Sequence, residues 1–380
     1  MKVVLAPDSF KESLTAARAA SAMARGVRRA VPDATCVEVP MADGGEGTTE
    51  ALVAALGGRI VAVPTLDPLG RAVTGAVGVA PGGVAVLEVA SAVGLGLVRP
   101  DERDVLTGTS RGVADLVRAA LDAGARRLLV GLGGSATNDG GAGLLVGLGA
   151  RLLDAGGRHV DPSPGALGGV AAVDLTGLDR RLRDVRVELA CDVTSPLLGP
   201  SGASAVFGPQ KGASPQQVEE LERALATLAD ALEQAAGRRV RDVPGAGAAG
   251  GLGAAFLALG AHRRSGVELV ADAVGLRGHL RDADLVLTGE GSVDAQTLAG
   301  KVPVGVADAA GDADVPVVVL AGRVEAAAAE ALLARGVAAV VPISSGPVPV
   351  ARALREAEPD LERATATTLR LLRLGAGPGR

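Results

Sequence analysis

Acidic side chains in glycine-bearing loops after predicted strands are the first sign of chemistry in this sequence. They are Asp8, Asp43 with Glu46, Asp139, Asp192, and Glu290 with Asp294. Parallel strands bring their carboxyl ends to one edge of a sheet, so some of these carboxylates should meet. Such a cluster suits Mg²⁺, which shares its oxygen shell with water and substrate phosphates. A further carboxylate could orient a substrate hydroxyl for phosphoryl transfer, although any single acid could equally be a turn or helix-cap residue.

The glycine-rich stretch 131–149 follows an apolar run, residues 127–130, that predicts a buried strand. Glycines after a strand let backbone N–H groups approach a bound anion. If a helix begins near Gly140, its N-terminus would add a partial positive charge at the same place. The pattern therefore indicates a phosphate-binding loop, and the alternative is a tight strand-to-helix connection without a ligand.

Lysine and asparagine are scarce in this chain, whereas glycine occurs 55 times. The only lysines are Lys2, Lys11, Lys211 and Lys301, and the only asparagine is Asn138. Three of these lysines and the asparagine lie in glycine-rich segments that also carry acids. Arginine cannot replace lysine where a compact ammonium contacts a single oxygen. The retained lysines could therefore neutralise a transferring phosphoryl group or hold an acidic substrate.

The composition excludes several classes of protein. The chain has 380 residues, a formal net charge of −5 and a sequence pI of about 5.4. An acidic chain without a basic block is not typical of proteins that bind nucleic acids or membrane surfaces. We expect no signal peptide, because residues 1–6 run as a strand directly into Pro7 and Asp8. Cys36 and Cys191 fit no CxxC pattern, which favours a reduced, cytoplasmic protein.

Other chemical motifs are incomplete. The three histidines have no spacing suited to a metal site or a Ser-His-Asp triad. Lys301 follows Gly300 but precedes Val302, so the phosphate-loop pattern of Walker A is broken. Dinucleotide-type glycine patterns begin at Gly131 and Gly245, and such patterns arise readily by chance in a glycine-rich chain. Two alternatives therefore stay open: a nicotinamide-dependent oxidoreductase, and a non-enzymatic sensor that binds a small acid.

The elements that must position these residues alternate as in parallel α/β proteins. Residues 3–6 and 36–40 predict strands, and each strand is followed by a loop and a helix. Residues 60–98 contain short apolar runs broken by proline and glycine, which predict a strand meander and the start of a second domain. Residues 214–237 predict the most secure helix, because Ser214 can cap it and its apolar residues recur every three or four positions.

These elements predict an α/β fold with two domains. We expect a discontinuous Rossmann-like parallel-sheet domain from residues 1–60, 103–150 and 280–380. A second, inserted α/β domain would comprise residues 61–102 and 151–279. The active site is expected in the cleft between the two domains, where ligands of doubly wound proteins commonly bind.

Nearly the whole chain resembles the bacterial glycerate kinases of the first type. The motifs that carry this resemblance are residues 6–13, 41–48, 133–141, 190–194, 208–212, 244–251 and 289–291, together with Asp294, Gln296, Thr297, Gly300 and Lys301. The resemblance implies a two-domain α/β kinase that uses ATP and Mg²⁺ to phosphorylate D-glycerate. In most members the product is 2-phosphoglycerate.

The resemblance and the residue types together suggest specific roles. Candidate catalytic residues are Asp192, Asp294, Lys211 and Lys11, with Asp192 as the base that orients the glycerate hydroxyl and Asp294 as the next choice. Candidate nucleotide-binding residues are Gly133, Gly134, Ser135, Thr137, Asn138, Asp139, Glu290 and Lys301. Candidate metal ligands are Asp43 and Glu46. We expect no nucleic-acid or membrane partner, and either a monomer or a homodimer.

Two positions depart from the family pattern. Ser195 stands where asparagine is usual, which weakens the case for an amide contact beside Asp192. Ser292 stands where arginine is usual, which weakens the case for a guanidinium group on the phosphates near Glu290. The acidic residues and the lysines of the pattern are all retained.

Overall fold

Apolar runs bounded by turn residues form most of the strands in the computed structural model, which describes residues 1–375. The strands are β1 (Lys2–Leu5), β2 (Thr35–Glu38), β3 (Arg59–Leu66), β4 (Ala72–Ala80), β5 (Val84–Glu88), β6 (Arg127–Gly131), β7 (Arg151–Leu153), β8 (Ala172–Asp174), β9 (Arg186–Ala190), β10 (His262–Arg264), β11 (Leu285–Val293), β12 (Val317–Val324) and β13 (Ala339–Pro342). The helices are α1 (Ala16–Ala30), α2 (Thr48–Leu56), α3 (Ala90–Val93), α4 (Arg111–Asp122), α5 (Ala142–Gly147), α6 (Ala203–Phe207), α7 (Pro215–Ala236), α8 (Leu252–Ala258), α9 (Gly266–Ala273), α10 (Leu276–Leu280), α11 (Val302–Gly311), α12 (Ala326–Ala334), α13 (Val350–Arg355) and α14 (Ala357–Gly375). No helix within residues 1–375 is long and apolar enough to span a bilayer.

The first of two units comprises Met1–Asp43, Glu50–Gly57 and the chain from Val267 onward. Its sheet has the strand order β13-β12-β11-β1-β2, and all neighbouring strands are parallel. Helices α1 and α14 cover one face of this sheet, and α11 and α12 cover the other. The direction of strand progression reverses between β1 and β11, which is the point where doubly wound sheets bind their ligands.

The second unit comprises Gly44–Thr49 and Gly58–Gly266. Its six-stranded sheet has the order β10-β9-β6-β5-β4-β3. Strands β3, β4 and β5 pair antiparallel, which confirms the predicted meander, whereas β5, β6, β9 and β10 are parallel. The carboxyl ends of β5, β6 and β9 therefore carry Glu88, the glycine-rich loop and Asp192 along one sheet edge.

Helix α7 confirms its sequence prediction closely. Ser214 Oγ accepts the N–H of Gln217, and the Gln217 side chain accepts the N–H of Ser214, so the capping box is complete. Gly237 ends the helix with a φ of +66°. Leu225 and Leu228 lie fully inside the core of the second unit.

The structure differs from the predicted domain boundaries over residues 103–150. This segment contains β6, which pairs with β5 and β9 and therefore belongs to the second unit. The crossing back to the first unit lies at Val267, earlier than the predicted residue 280. The predicted α/β fold class with parallel sheets is confirmed.

Charged residues gather on one face of the second sheet. Glu188 on β9 is fully buried and forms ion pairs with Arg127, Arg186 and Arg264 from β6, β9 and β10. Burial by itself would raise the pKa of Glu188, but the three guanidinium groups hold that pKa below its ordinary value. A buried carboxylate is tolerated here because its compensating charges come from its own and neighbouring strands.

Candidate active site

The glycine-rich loop, residues 131–141, leaves β6 and has two exposed positions, Gly133 and Gly134. Gly134 has a φ of +70°, a left-handed conformation that glycine adopts without strain. Residues 135–140 are buried. Of the predicted nucleotide ligands in this loop, Thr137 and Asn138 therefore lie inside the protein, and the backbone of the two exposed glycines is what can face an anion.

Asp139 is enclosed by protein donors. Its carboxylate accepts hydrogen bonds from the N–H and the hydroxyl of Ser110, both at 2.7 Å, and from the N–H groups of Gly141 at 3.1 Å and Gly143 at 3.0 Å. Burial raises the pKa of Asp139, and these donors oppose the rise. Asp139 thus holds the loop in shape, and its geometry does not support the expected contact with a nucleotide.

The predicted helix after the loop is shorter than expected and its first N–H groups are occupied. Helix α5 has six residues, and Gly143 in its first turn donates to Asp139 while the N–H of Leu144 donates to Ser110 Oγ at 3.0 Å. The expectation that this helix N-terminus would attract an anion is therefore wrong, because protein acceptors already satisfy these donors.

Lys211 lies beneath the glycine-rich loop. Its Nζ donates to the carbonyl of Thr137 at 2.7 Å and to Ser135 Oγ at 3.3 Å. The side chain is 2% exposed, and burial lowers the pKa of Lys211 to about 7 while the negative charge of Asp139 opposes the shift. The structure therefore brings Lys211 together with Ser135, Thr137 and Asp139.

Two polar atoms of this loop have no hydrogen-bond partner in the described part of the chain. They are Thr137 Oγ1 and Asn138 Oδ1, although Asn138 Nδ2 donates to Ser204 Oγ at 2.9 Å. A buried acceptor without a donor costs about 1–3 kcal/mol. The atoms beside Lys211 therefore have unused capacity for a polar ligand or an ordered water.

Gly250 supports the loop from the segment 244–251, which the family resemblance singles out. The N–H of Gly140 donates to the carbonyl of Gly250 at 2.9 Å. Gly250 has a φ of +67°, and a Cβ added there would lie 1.9 Å from the carbonyl oxygen of Thr137. Only glycine permits this close approach of the two backbones.

We expect Gly250→Ala to displace Thr137 and Asn138 and to weaken ATP binding at least tenfold, corresponding to about 1.4 kcal/mol. Calorimetric titration is the suitable measurement, since the chain has no tryptophan or tyrosine for intrinsic fluorescence. Gly237→Ala is the matched control, because Gly237 has a φ of +66° but no atom within 4 Å of an added Cβ. Equal ATP affinity in the two variants would refute the proposed support.

Asp192 lies directly after β9 and is exposed. Its Oδ1 accepts the N–H of Gly266 at 3.0 Å, which leaves its position defined while its carboxylate remains accessible. The neighbouring Cys191 is a free, buried thiol whose pKa is raised by burial. An accessible carboxylate at a strand end is suited to accept a proton from a bound hydroxyl.

The sequence analysis missed Glu88, which follows the same strand-end rule as Asp192. Its carboxylate accepts the N–H groups of Thr49 at 2.7 Å and Gly47 at 3.3 Å, at the start of α2. Burial raises the pKa of Glu88, and the charge of Glu46 adds to the rise. Glu88 thus anchors the loop that carries Glu46 in the second unit.

Three carboxylates act on one another in the first unit, at the point where β1 and β11 adjoin. Burial and the charges of Asp43 and Glu290 together raise the pKa of Asp8 to about 7, against the opposing effects of the Ser9 N–H and Lys11. Asp8 is attached to β11 through its N–H, which donates to the carbonyl of Gly289 at 2.9 Å. Negative charge therefore gathers at the switch point, and Lys11 offsets part of it.

Glu290 lies within β11, which continues three residues beyond it, whereas the sequence predicts a loop there. Its carboxylate accepts the hydroxyl of Thr297 at 2.6 Å and lies 4.0 Å from Lys301 Nζ. Asp294 accepts the N–H of Gln296 at 2.9 Å and the hydroxyl of Ser292 at 3.4 Å. Ser292 therefore contacts the second candidate base at the position where the family usually has arginine.

The carboxylates of the first unit fit a magnesium ion carried by substrate phosphates. Within residues 1–375 no three acidic, histidine or cysteine side chains converge to enclose a metal by themselves. Mg²⁺ usually takes only one or two carboxylates and completes its octahedral shell with phosphates and water. The mutual repulsion of Asp8, Asp43 and Glu290 is what a divalent cation would relieve.

The two predicted metal ligands act on different carboxylates within their own units. Asp43 acts on Asp8 and Glu290 in the first unit, whereas Glu46 acts on Glu88 in the second. Lys11 is exposed and lowers the pKa of Asp8. The pairing of Asp43 with Glu46 at a metal therefore stays a prediction, and the carboxylates on which Asp43 acts are Asp8 and Glu290.

Comparisons with known proteins agree with these features. The model of the glycerate kinase family matches residues 3–373. A glycerate kinase of Bacillus subtilis (strain 168) is 47% identical over 365 residues, which cover 96% of this chain and 95% of the relative. A glycerate 2-kinase of Escherichia coli (strain K12) is 45% identical over 319 residues, which cover 83% of this chain and 84% of the relative.

A solved structure shows the same similarity. The crystal structure of a candidate glycerate kinase 2 from Salmonella typhimurium LT2 has a TM-score of 0.91 to this chain, with 46% identity and 99% of both chains covered. Sequence and structure therefore agree along nearly the whole length. The chain belongs to the glycerate kinase family, whose members are phosphotransferases with an alcohol group as acceptor.

Proposed function

We propose that this protein transfers the terminal phosphoryl group of ATP to the 2-hydroxyl of D-glycerate, giving 2-phosphoglycerate and ADP. The observation that carries the proposal is the 45% identity to a glycerate 2-kinase over 319 residues. Family membership takes the place of the oxidoreductase and the acid sensor as the working interpretation.

In the second unit the proposed roles follow from which backbone groups and side chains are exposed. The backbone N–H groups of Gly133 and Gly134 bind the phosphates, and Ser135 Oγ lies next to them, 3.3 Å from Lys211 Nζ. Asn138 and Thr137 shape the loop from within. Asp192 accepts the proton of the glycerate hydroxyl as that oxygen attacks the terminal phosphorus.

In the first unit the proposed roles follow from charge. One or two of the carboxylates of Asp8, Asp43 and Glu290 would hold Mg²⁺ together with phosphates and water, and the ion when bound neutralises charge on the phosphates. Lys11 and Lys301 stabilise negative charge that develops during the transfer, or hold the glycerate carboxylate. Asp294, fixed by the N–H of Gln296 at 2.9 Å, is the second candidate for the base. We propose that both groups of residues serve the same reaction.

The remaining expectations about the protein's setting stay predictions. Cys36 and Cys191 are both free thiols, as expected for a protein of a reducing compartment, and we propose a cytoplasmic enzyme with small-molecule substrates. Whether the chain forms a monomer or a homodimer is read directly from light scattering of the purified protein.

Phosphorus NMR of a mixture of D-glycerate, MgATP and the protein tests the proposal in one experiment. We expect the ATP signals to convert to ADP and a single phosphomonoester signal that matches authentic 2-phosphoglycerate. A signal of 3-phosphoglycerate would overturn the assigned hydroxyl, and no phosphoester would overturn the kinase reaction. Calorimetric binding of NADH without binding of ATP would favour the oxidoreductase instead.

A further inference from the structure

Ser110 precedes helix α4 as its N-cap residue, yet its side chain does not cap that helix. A serine at this position ordinarily accepts an N–H from the first turn of its own helix. Here the hydroxyl donates to Asp139 Oδ2 at 2.7 Å and accepts the N–H of Leu144 in α5 at 3.0 Å. The side chain is 0% exposed, so no water competes for these bonds.

The backbone of Ser110 strengthens the same contact. Its N–H also donates to Asp139 Oδ2 at 2.7 Å, so one residue supplies half of the four donors on this carboxylate. Hydrogen bonds to a charged group are stronger than those between neutral groups. Ser110 therefore helps to fix the position of Asp139 and opposes the rise in its pKa that burial causes.

Asp139 in turn acts on the rest of the loop. Its carboxylate fixes the backbone turn at Gly141 and Gly143, and its negative charge is the ionised group that acts on the buried Lys211 ammonium. On the neighbouring turn, the guanidinium of Arg103 contacts the carbonyl of Gln210 at 3.1 Å. Lys211 holds the loop through Ser135 and Thr137. A loss of order at Asp139 would therefore affect the nucleotide-binding backbone both directly, at Gly141 and Gly143, and through Lys211.

We propose that Ser110 is a positioning residue for nucleotide binding: it orders Asp139, which holds the glycine-rich loop and the Lys211 ammonium in their binding arrangement. The inference rests on the proposed use of ATP by this loop. Ser110 touches no substrate and acts through the two residues behind the loop. No feature of the sequence singles it out, because its partners are 29 and 34 residues away along the chain.

The test is Ser110→Ala, which removes the hydroxyl and keeps the backbone donor. We expect the KM for ATP to rise about tenfold, with kcat changed much less, because ATP binding and not the transfer step depends on the loop. Lys211 loses its charge as the pH rises through about 7, and a less ionised Asp139 makes this loss begin at lower pH. The alkaline fall of kcat/KM for ATP should therefore move to lower pH.

Two further variants separate positioning from general destabilisation. Ser110→Thr keeps the hydroxyl and should restore most of the ATP affinity. Thr365→Val removes a buried hydroxyl that donates to Leu361 within α14 at 2.7 Å, and should leave the pH profile unchanged. An unchanged KM and pH profile in Ser110→Ala would overturn the inference, whereas an unsubstituted protein that fails to phosphorylate glycerate would overturn the proposed function.

A measurement on the unsubstituted protein covers the case in which Ser110→Ala does not fold. Calorimetry of ATP binding in two buffers of different ionisation enthalpy, on the alkaline side of neutrality, reports protons taken up on binding. The anionic ligand should favour the charged form of Lys211, so we expect proton uptake. Binding without proton uptake would overturn the assigned role of Asp139 and Lys211.

Discussion

Replacing Asp192 by asparagine is expected to lower kcat for glycerate phosphorylation by about 10²–10⁴-fold. The amide oxygen can still accept the N–H of Gly266, so the local structure should persist while the proton acceptor is lost. The KM values for ATP and glycerate should change much less than kcat. A coupled assay of ADP release, with circular dichroism to verify the fold, measures both expectations.

The matched control is Asp161→Asn. Asp161 is also exposed, and its carboxylate accepts the N–H of Ser163 at 2.8 Å, so this change repeats the chemistry away from the proposed reaction. We expect its kcat to equal that of the unsubstituted protein. If Asp192→Asn retained near-normal turnover, Asp192 would be eliminated as the base and Asp294 would be tested by the same substitution.

The second large effect is expected for Asp8→Asn, which should lower activity by about 10²-fold or more and yet stabilise the metal-free protein. Asp8 is buried beside Asp43 and Glu290, so removing its charge relieves repulsion in the absence of a cation. We expect the free energy of unfolding above neutral pH to rise by about 1–3 kcal/mol. Urea unfolding with a metal chelator present, followed by circular dichroism, measures this change.

The pH dependence of that gain has a defined sign. Because the folded-state pKa of Asp8 is about 7 and its ordinary value is 3.8, the folded state binds more protons than the unfolded state between these values. The stability of the unsubstituted protein therefore falls as the pH rises through this window, and the advantage of Asp8→Asn grows over the same window.

Two controls complete the test of Asp8→Asn: a substitution outside the carboxylate cluster, and the addition of Mg²⁺. Asp33→Asn changes an exposed aspartate of the same unit and should show neither the stabilisation nor the loss of activity. Mg²⁺ should raise the unfolding temperature of the unsubstituted protein more than that of Asp8→Asn. A destabilised Asp8→Asn variant would show that these carboxylates do not repel one another. Equal responses of the two proteins to Mg²⁺ would show that the carboxylates do not bind the ion.

Local sequence predicted most elements of this fold because caps and periodicity act within a few residues. Helix α7 begins at its predicted cap, Ser214, and ends at Gly237, the last residue of the predicted range. The assignment of residues 103–150 could not be predicted in the same way. An α-helix followed by a buried strand looks the same in either unit, and the pairing of β6 with β5 and β9 decides its place.

The candidate site shows a similar limit. An acid in a glycine-rich loop can face a ligand or bind the loop's own N–H groups, and only the packed structure shows that Asp139 does the latter. Asp43 and Glu46 are three residues apart, but they lie on either side of a crossing between units. Asp8, Asp43 and Glu290 come from three separate motifs and meet because β1, β2 and β11 are neighbours in one sheet.

The ion pairs around Glu188 have a consequence for how this sequence can change over generations. Loss of Glu188 alone would remove the carboxylate with which Arg127, Arg186 and Arg264 pair, and loss of one arginine would leave that carboxylate less well compensated. Effects of such coupled residues do not add. Tolerated substitutions at these four positions should therefore occur together, whereas positions on the surrounding surface can change one at a time.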